Sequence, residues 1–262
     1  MAHVQQEQDP GSAAAQGTGG VYVYGIIRSS HPVPEDLASV GDDDAPVRAV
    51  SHGSLSAVIS DLQLSRPLGK RDDLLAHEQV LDTLAAETAV VPMRFGGVVA
   101  SAEEVVNELL APHEEHFADL LAQLDGVVQF TVRGRYSDSS HIREIVAENP
   151  EIGQLRESLR GVPQEEGYDQ RLKLGELVSN AVVAKRETDV GELLDALSPH
   201  VVATVVREVG GEDDAFDVAV LVEHDRRDAF EEALDELGDR WSGRLQLRLV
   251  GPLAPYDFVP EE

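Results

Sequence analysis

The chain has 262 residues, and 42% of them are hydrophobic, which is enough apolar material for one large or two smaller packed cores. Its 21 lysines and arginines against 49 aspartates and glutamates give a formal net charge of −28, which argues against nucleic acid and anionic membrane surfaces as partners. Cysteine is absent, so disulfides, thiol nucleophiles and cysteine-ligated metals are excluded, and no apolar run approaches the roughly 18 residues that span a bilayer.

The N-terminal stretch over 1–20 is rich in glutamine, glycine, alanine and serine and has no hydrophobic periodicity. This composition predicts a disordered tail. The stretch has neither the basic start nor the apolar core of a secretory signal, so we expect a cytoplasmic protein.

The pattern changes to β-branched and aromatic residues over 21–27, which predicts a first strand. A loop rich in proline and aspartate follows over 29–46. Two short strands are then predicted at 47–50 and 55–60, joined by turn residues that include His52. We interpret this segment as a hairpin and His52 as a turn residue rather than a metal ligand.

An amphipathic helix is predicted over 71–88, because apolar side chains recur at near-helical spacing among polar ones. The predicted apolar face comprises Leu74, Leu81, Leu84 and Thr88.

A continuous apolar strand over 90–95 follows and is interrupted by Pro92. Because proline cannot donate to a sheet ladder, this strand is expected at a sheet edge or at a bulge. Arg94 lies between apolar neighbours, and its guanidinium can bind a carboxylate or backbone carbonyls of a partner. The alternative is an ion pair within the chain, with Asp257 as the suggested partner, that locks two domains together.

Ser101 and Glu104 form a capping-box signature for the next helix, in which Pro112 predicts a kink or a break. Two histidines, His113 and His116, lie three residues apart, whereas a zincin helix places its histidines four apart. We therefore predict no metal site here, and interpret the segment as a partly buried His113 beside a solvated acidic face.

The second half of the chain is predicted to run strand, helices, strand, strand, helix, strand, which is the ferredoxin-like split βαβ order. In the last helix, Asp225 is the predicted N-cap and Gly238 the predicted end. The predicted segments are strands at 126–136, 201–209, 216–222 and 244–250, a long helical region at 139–197, and a helix beginning at 225.

The order of these elements predicts an α+β fold with two domains. An N-terminal α+β sheet domain spans 21–124, and a C-terminal modified ferredoxin-like domain with a helical insertion spans 125–251. The remaining residues, 252–262, are predicted to form an extended C-terminal tail. Tyr256 and Phe258 lie two apart in this tail and would point to one side if it were extended. We expect the tail to pack beside the strand over 91–95.

Three short segments resemble signatures of the gas vesicle protein F/L family: YVYGI at 22–26, VPMRFG at 91–96 and VGPLAPYDFV at 250–259. Their order and spacing make the joint match specific. The resemblance implies an N-terminal α+β domain and a C-terminal modified ferredoxin-like domain. It also implies a gas-vesicle-associated accessory protein of vesicle assembly, which engages the hydrophobic major shell protein and other gas vesicle accessory proteins as partners.

The residues that we single out as partner-binding or domain-locking are Pro92, Arg94, Phe95, Tyr256 and Phe258. The sequence contains no phosphate-binding loop and no nucleophile elbow, so we predict no enzymatic activity and no cofactor. The alternative is a small-molecule-binding or catalytic ferredoxin-like protein that uses the cleft between the domains, since such folds host many functions. A deep pocket with convergent polar groups would favour the alternative, and a flat or grooved apolar face would favour partner binding.

Overall fold

The computed structural model describes residues 19–41, 45–63 and 67–260. The predicted N-terminal tail therefore lies outside the described residues, except for Gly19 and Gly20, which belong to the first strand. Within the described ranges the chain forms two antiparallel sheets with helices packed against them, which is an α+β architecture. No helix in this part of the chain is both long and apolar enough to cross a membrane.

The first sheet contains the predicted first strand and hairpin. It has the order β2-β3-β1-β4, and β5 also pairs with β1. The strands are β1 (Gly19–Arg28), β2 (Arg48–His52), β3 (Leu55–Gln63), β4 (Val90–Pro92) and β5 (Val98–Val99). All pairings are antiparallel.

The edge position expected for Pro92 is confirmed, but the strand is shorter than predicted. β4 ends at Pro92, and the backbone N–H of Met93 makes the next bond to β1, donating to the Tyr24 carbonyl at 2.9 Å. The chain then bulges away and returns where the Val23 N–H donates to the Gly97 carbonyl at 3.0 Å. Pro92 lies opposite Gly25, and the bond from Met93 places the proline nitrogen on the outer side of β4, where the missing N–H takes no donor from the ladder.

Helices cover both faces of the first sheet. Helix α1 (Arg71–Ala85) packs on one face, and α2 (Ala102–Glu104), π-helical turns over Val105–Leu110 and α3 (Glu114–Gln123) pack on the other. The break at Pro112 is confirmed, and the Ser101 hydroxyl caps α2 by accepting from the Glu104 N–H at 3.2 Å.

The predicted apolar face of α1 was partly wrong. Leu81 and Leu84 are fully buried, but Leu74 is 41% exposed and the helix ends before Thr88. The buried stripe instead includes His77 and Val80, which follow the 3.6-residue period through Leu84. The sheet therefore contacts a slightly different face of the helix, one that places a histidine in the core.

The second sheet has the order β7-β8-β6-β9, again fully antiparallel. If the four strands of this sheet are numbered along the chain, their order across the sheet is 2-3-1-4. Strands β1 to β4 of the first sheet have the same order. The strands are β6 (Val127–Tyr136), β7 (Ala203–Arg207), β8 (Asp214–Glu223) and β9 (Leu245–Leu253). The helices are α4 (Ser140–Glu148), α5 (Pro150–Ser158), α6 (Tyr168–Leu197) and α7 (Arg227–Arg240).

The boundaries of α7 differ from the prediction. Asp225 lies in a 3-10 turn, and α7 begins at Arg227 without a side-chain cap. The helix also continues past Gly238 to Arg240, because Leu237 is buried and the chain turns only after Trp241. The buried face of α7 comprises Phe230, Leu234 and Leu237.

A buried charge network joins α4 and α6 to β6 and β9. Asp189 on α6 has a side chain only 1% exposed, and its carboxylate accepts from the Tyr136 hydroxyl at 2.7 Å and from Arg244. Arg244 also donates from Nε to Glu144 at 2.9 Å, and Glu144 pairs with Lys185 at 2.7 Å. Because a buried carboxylate is stable only when it is paired, this network fixes the position of α6 on the second sheet.

Candidate interaction site

The three motif segments converge on one buried histidine of α1. His77 is 2% exposed, and its Nδ1 and Nε2 lie 3.0 Å and 2.9 Å from the hydroxyls of Tyr22 and Tyr256. Phe95 packs edge-on against the imidazole, with ring centroids 5.6 Å apart. His77 therefore links the first strand, the VPMRFG segment and the C-terminal segment.

Burial sets the protonation state of this cluster. The Gly96 N–H donates to the Tyr22 oxygen at 3.1 Å, and each imidazole nitrogen lies within hydrogen-bond distance of a tyrosine hydroxyl. Burial lowers the pKa of His77 to about 4, although the Met93 backbone opposes this shift. Burial also raises the pKa of Tyr22 to about 12. The histidine is therefore neutral near pH 7.

Residues 254–260, which we call the C-terminal strap, connect the first half of the molecule to the second. The Ala254 N–H donates to Asp82 of α1 at 2.8 Å, next to the Tyr256 contact with His77. Asp257 accepts from Gln129 of β6 at 2.6 Å and from the Nε of Arg207 of β7 at 2.8 Å. One short segment thus bonds to a helix of the first half and to two strands of the second.

The predicted pairing of Asp257 with Arg94 was wrong. Both carboxylate oxygens of Asp257 are engaged by the second sheet, since Arg207 donates to each of them. Burial alone would raise the pKa of Asp257, but the bonds from Arg207 and Gln129 hold it below its usual value. Arg94 is exposed, on the other side of the VPMRFG segment.

The strap also differs from the extended tail expected from the sequence. Strand β9 continues through Leu253, and Tyr256–Phe258 form a 3-10 turn. The turn sends the two aromatic rings to different places: Tyr256 contacts His77, whereas Phe258 packs with Val259 against the core beneath α3. The alternation expected of an extended chain is therefore lost.

A groove of about 270 Å³ lies between the VPMRFG segment, α3 and the strap. Arg94 and His116 are its charged or titratable members, and the other lining residues are mainly apolar. Pro92, Arg94 and Phe95 line the groove, whereas Tyr256 and Phe258 lie behind it. The lining is Val91, Pro92, Met93, Arg94, Phe95, Gly97, His116, Phe117, Leu120, Val259 and Pro260.

Two glycines of the motifs lie where any larger side chain would clash with neighbouring atoms. A Cβ on Gly25 would lie 2.8 Å from both the Val91 carbonyl and a Leu81 methyl, so only glycine lets β1 contact β4 and α1 together. Gly251 has a φ of +143°, and a Cβ there would lie 2.6 Å from the Phe130 ring.

Sequence reasoning missed His77, Gln129 and Arg207. The position of His77 was readable, because it falls in helical phase with Leu81 and Leu84, but its tyrosine partners lie 55 and 179 residues away. His113, expected to be partly buried, is exposed, and its Nδ1 lies 3.0 Å from the Leu109 carbonyl. Among the described residues, no group of three or more potential ligands is placed to hold a metal ion.

Comparison with known proteins gives one consistent result. The family model described as "Gas vesicle synthesis protein GvpL/GvpF" matches residues 20–260. A curated relative from a Streptomyces species, named "Gas vesicle protein F", is 40% identical over 242 residues and covers 91% of this chain and 98% of its own length.

Two crystal structures share the fold. The gas vesicle protein GvpF from Anabaena has a TM-score of 0.79 at 23% identity, over 93% of this chain and 99% of that chain. GvpF from Microcystis aeruginosa has a TM-score of 0.74 at 24% identity, over 91% and 98%.

Proposed function

Since this chain belongs to the gas vesicle synthesis protein GvpL/GvpF family, we propose that it is a non-catalytic accessory protein of gas vesicle assembly. In this proposal it is cytoplasmic and gas-vesicle-associated, and it binds the hydrophobic shell protein before the shell polymerises. The observation that carries the proposal is the apolar groove, because two motif segments about 160 residues apart in the chain meet to form it.

The groove suits a short apolar segment of a partner better than a small polar molecule. Its walls are methionine, proline, phenylalanine, leucine and valine side chains, which gain by excluding water from an apolar ligand. Arg94 is placed to bind a carboxylate or a backbone carbonyl of the bound segment. The net charge of −28 would keep a complex with an aggregation-prone partner in solution.

We also propose that the two sheets are the cores of two domains, 21–124 and 125–251, and that the strap is the domain-locking element. In this arrangement Tyr256 and Phe258 support the groove from behind, while Pro92 and Phe95 shape it and Arg94 contacts the partner. The catalytic alternative has no supporting observation here, since no convergent set of polar side chains lines the groove.

Co-expression with the shell protein, followed by affinity purification of this chain, tests the proposal. The groove variant is Arg94→Glu, and the matched control is Arg156→Glu, which reverses another exposed arginine, on α5. We expect the wild type and the control to retain the shell protein and Arg94→Glu to lose most of it. Absence of retention by the wild type would refute shell-protein binding, and equal retention by all three would place it at another surface.

A further inference from the structure

The outer edge of β9 is an unoccupied sheet edge. β9 is the last strand in the order β7-β8-β6-β9, and no strand in the described ranges pairs with its outer side. An edge strand presents alternate N–H and C=O groups that another extended chain can pair with. Before Pro252, which has no N–H, β9 has seven residues, against five in β7, which forms the opposite edge.

The side chains of β9 give this edge a charge preference. Arg248 is exposed and lies directly opposite Arg133 of β6, and like charges in facing positions destabilise a sheet. Asp217 of β8 offers no relief to Arg248, since its two oxygens accept from Arg133 at 2.9 Å and from Arg207 at 3.0 Å. Arg248 makes no ion pair with any residue that the structure describes. A carboxylate on a strand added beside β9 could form an ion pair with Arg248.

The other face of the edge combines leucines with acidic side chains. A groove of about 880 Å³ runs between β9 and α7, and Leu247, Leu249 and Leu234 line it. Asp138, Glu231, Asp235 and Asp239 also line it, so a partner side chain that enters the groove must be apolar or basic rather than acidic. Because side chains alternate along a strand, Leu247 and Leu249 face the groove while Arg248 faces the opposite side.

We propose that an extended segment of a partner protein adds to β9 as a fifth strand of the second sheet. Its alternate residues would be apolar towards α7 and acidic towards Arg248 and Arg133. The β7 edge is a weaker candidate, because it has only five residues. This site lies on a different sheet from the groove at the strap, so it does not depend on the proposed function.

A synthetic peptide tests the proposal without knowledge of the natural partner. The probe is a labelled, capped nonapeptide that alternates glutamate and valine, titrated with the full chain and followed by fluorescence anisotropy. We expect saturable binding, at least tenfold weaker binding to Arg248→Glu, and unchanged binding to Arg156→Glu. Arg156 is a matched control, because it is an exposed arginine on α5. Amide exchange should slow along β9 when the peptide is added.

Further probes separate strand addition from charge attraction. A peptide with lysine in place of glutamate, and a peptide with proline at its central position, should both bind at least tenfold more weakly. Equal binding of the proline peptide would overturn strand addition, and equal binding to Arg248→Glu and the wild type would overturn the site. Tighter binding of a single-stranded oligonucleotide than of the acidic peptide would overturn the choice of a protein partner. Arg248→Gln, a milder change, should give an intermediate loss if charge is the cause.

Discussion

Replacement of Asp257 by asparagine tests whether the C-terminal strap holds the two halves together. The Asp257 side chain is 17% exposed and accepts hydrogen bonds from Arg207 and Gln129. Hydrogen bonds to charged groups contribute about 1.5–3 kcal/mol, and a broken buried pair costs about 3–5 kcal/mol. Arg207 is 31% exposed and keeps its bond to Asp217, so the lower range applies. We expect Asp257→Asn to lower the free energy of unfolding by about 2 kcal/mol and Tm by about 4–8 °C.

Urea unfolding at several pH values measures this effect and its electrostatic origin. The single tryptophan, Trp241, reports on the second half by fluorescence, and far-ultraviolet circular dichroism reports on both halves. Folding lowers the pKa of Asp257, so its stabilisation is present above the unfolded pKa of about 3.9 and is lost as the pH falls through the folded pKa. The difference between the wild type and Asp257→Asn should therefore stay constant from pH 7 to about 5 and shrink in stronger acid.

The matched control is Asp61→Asn, in an ion pair with Arg48 whose carboxylate side chain is 64% exposed. An exposed pair of this kind contributes under about 1 kcal/mol. If Asp257→Asn costs no more than Asp61→Asn, the strap does not stabilise the fold through this carboxylate. A loss that persists unchanged at pH 3 would show that packing, rather than charge, is responsible.

Four further substitutions test packing and charge in the two halves of the molecule. Because the pKa of His77 is lowered from 6.5 to about 4 on folding, its neutral form stabilises the fold above pH 6.5, and the wild type should lose about 3 kcal/mol more than His77→Phe as the pH falls to 4 in urea titrations. Gly25→Ala places a Cβ 2.8 Å from the Val91 carbonyl and should destabilise the protein by about 1–3 kcal/mol in thermal melts, whereas Gly175→Ala, in open space on α6, should stabilise it by up to about 1 kcal/mol. Asp189→Ala should cost about 1.5–3 kcal/mol in denaturant unfolding, because it removes the acceptor of the Tyr136 hydroxyl and one of the two carboxylates that pair with Arg244.

The sequence predicted the parts of the fold that local patterns specify. Alternation identified the strands, and the predicted break at Pro112 and edge strand at Pro92 follow from the missing proline N–H. Helix ends were less predictable, because tertiary burial overrides capping signals: α7 passes Gly238 to bury its last turn. The family resemblance came from motifs, and their convergence on one histidine was not readable from them.

The misassigned ion pair shows why contacts between distant segments resisted prediction. Arg94 and Arg207 are both plausible partners for Asp257, and nothing local distinguishes them. The partner of Asp257 depends on the 3-10 turn at Tyr256–Phe258, which directs the carboxylate towards β6 and β7. The turn itself depends on the contact of Tyr256 with α1. Such a sequence of dependencies exists only in the folded molecule.

Burial separates the folding role of the motifs from any binding role. Tyr22 and Gly25 lie within the core, and Phe258 packs against it, so packing alone accounts for their presence. Asp257 is accounted for by its bonds to the second sheet. Arg94 is different, because it is exposed and lines an apolar groove. Loss of shell-protein binding on replacement of a buried motif residue would therefore be ambiguous, whereas the same loss in a stably folded Arg94 variant would point to the contact itself.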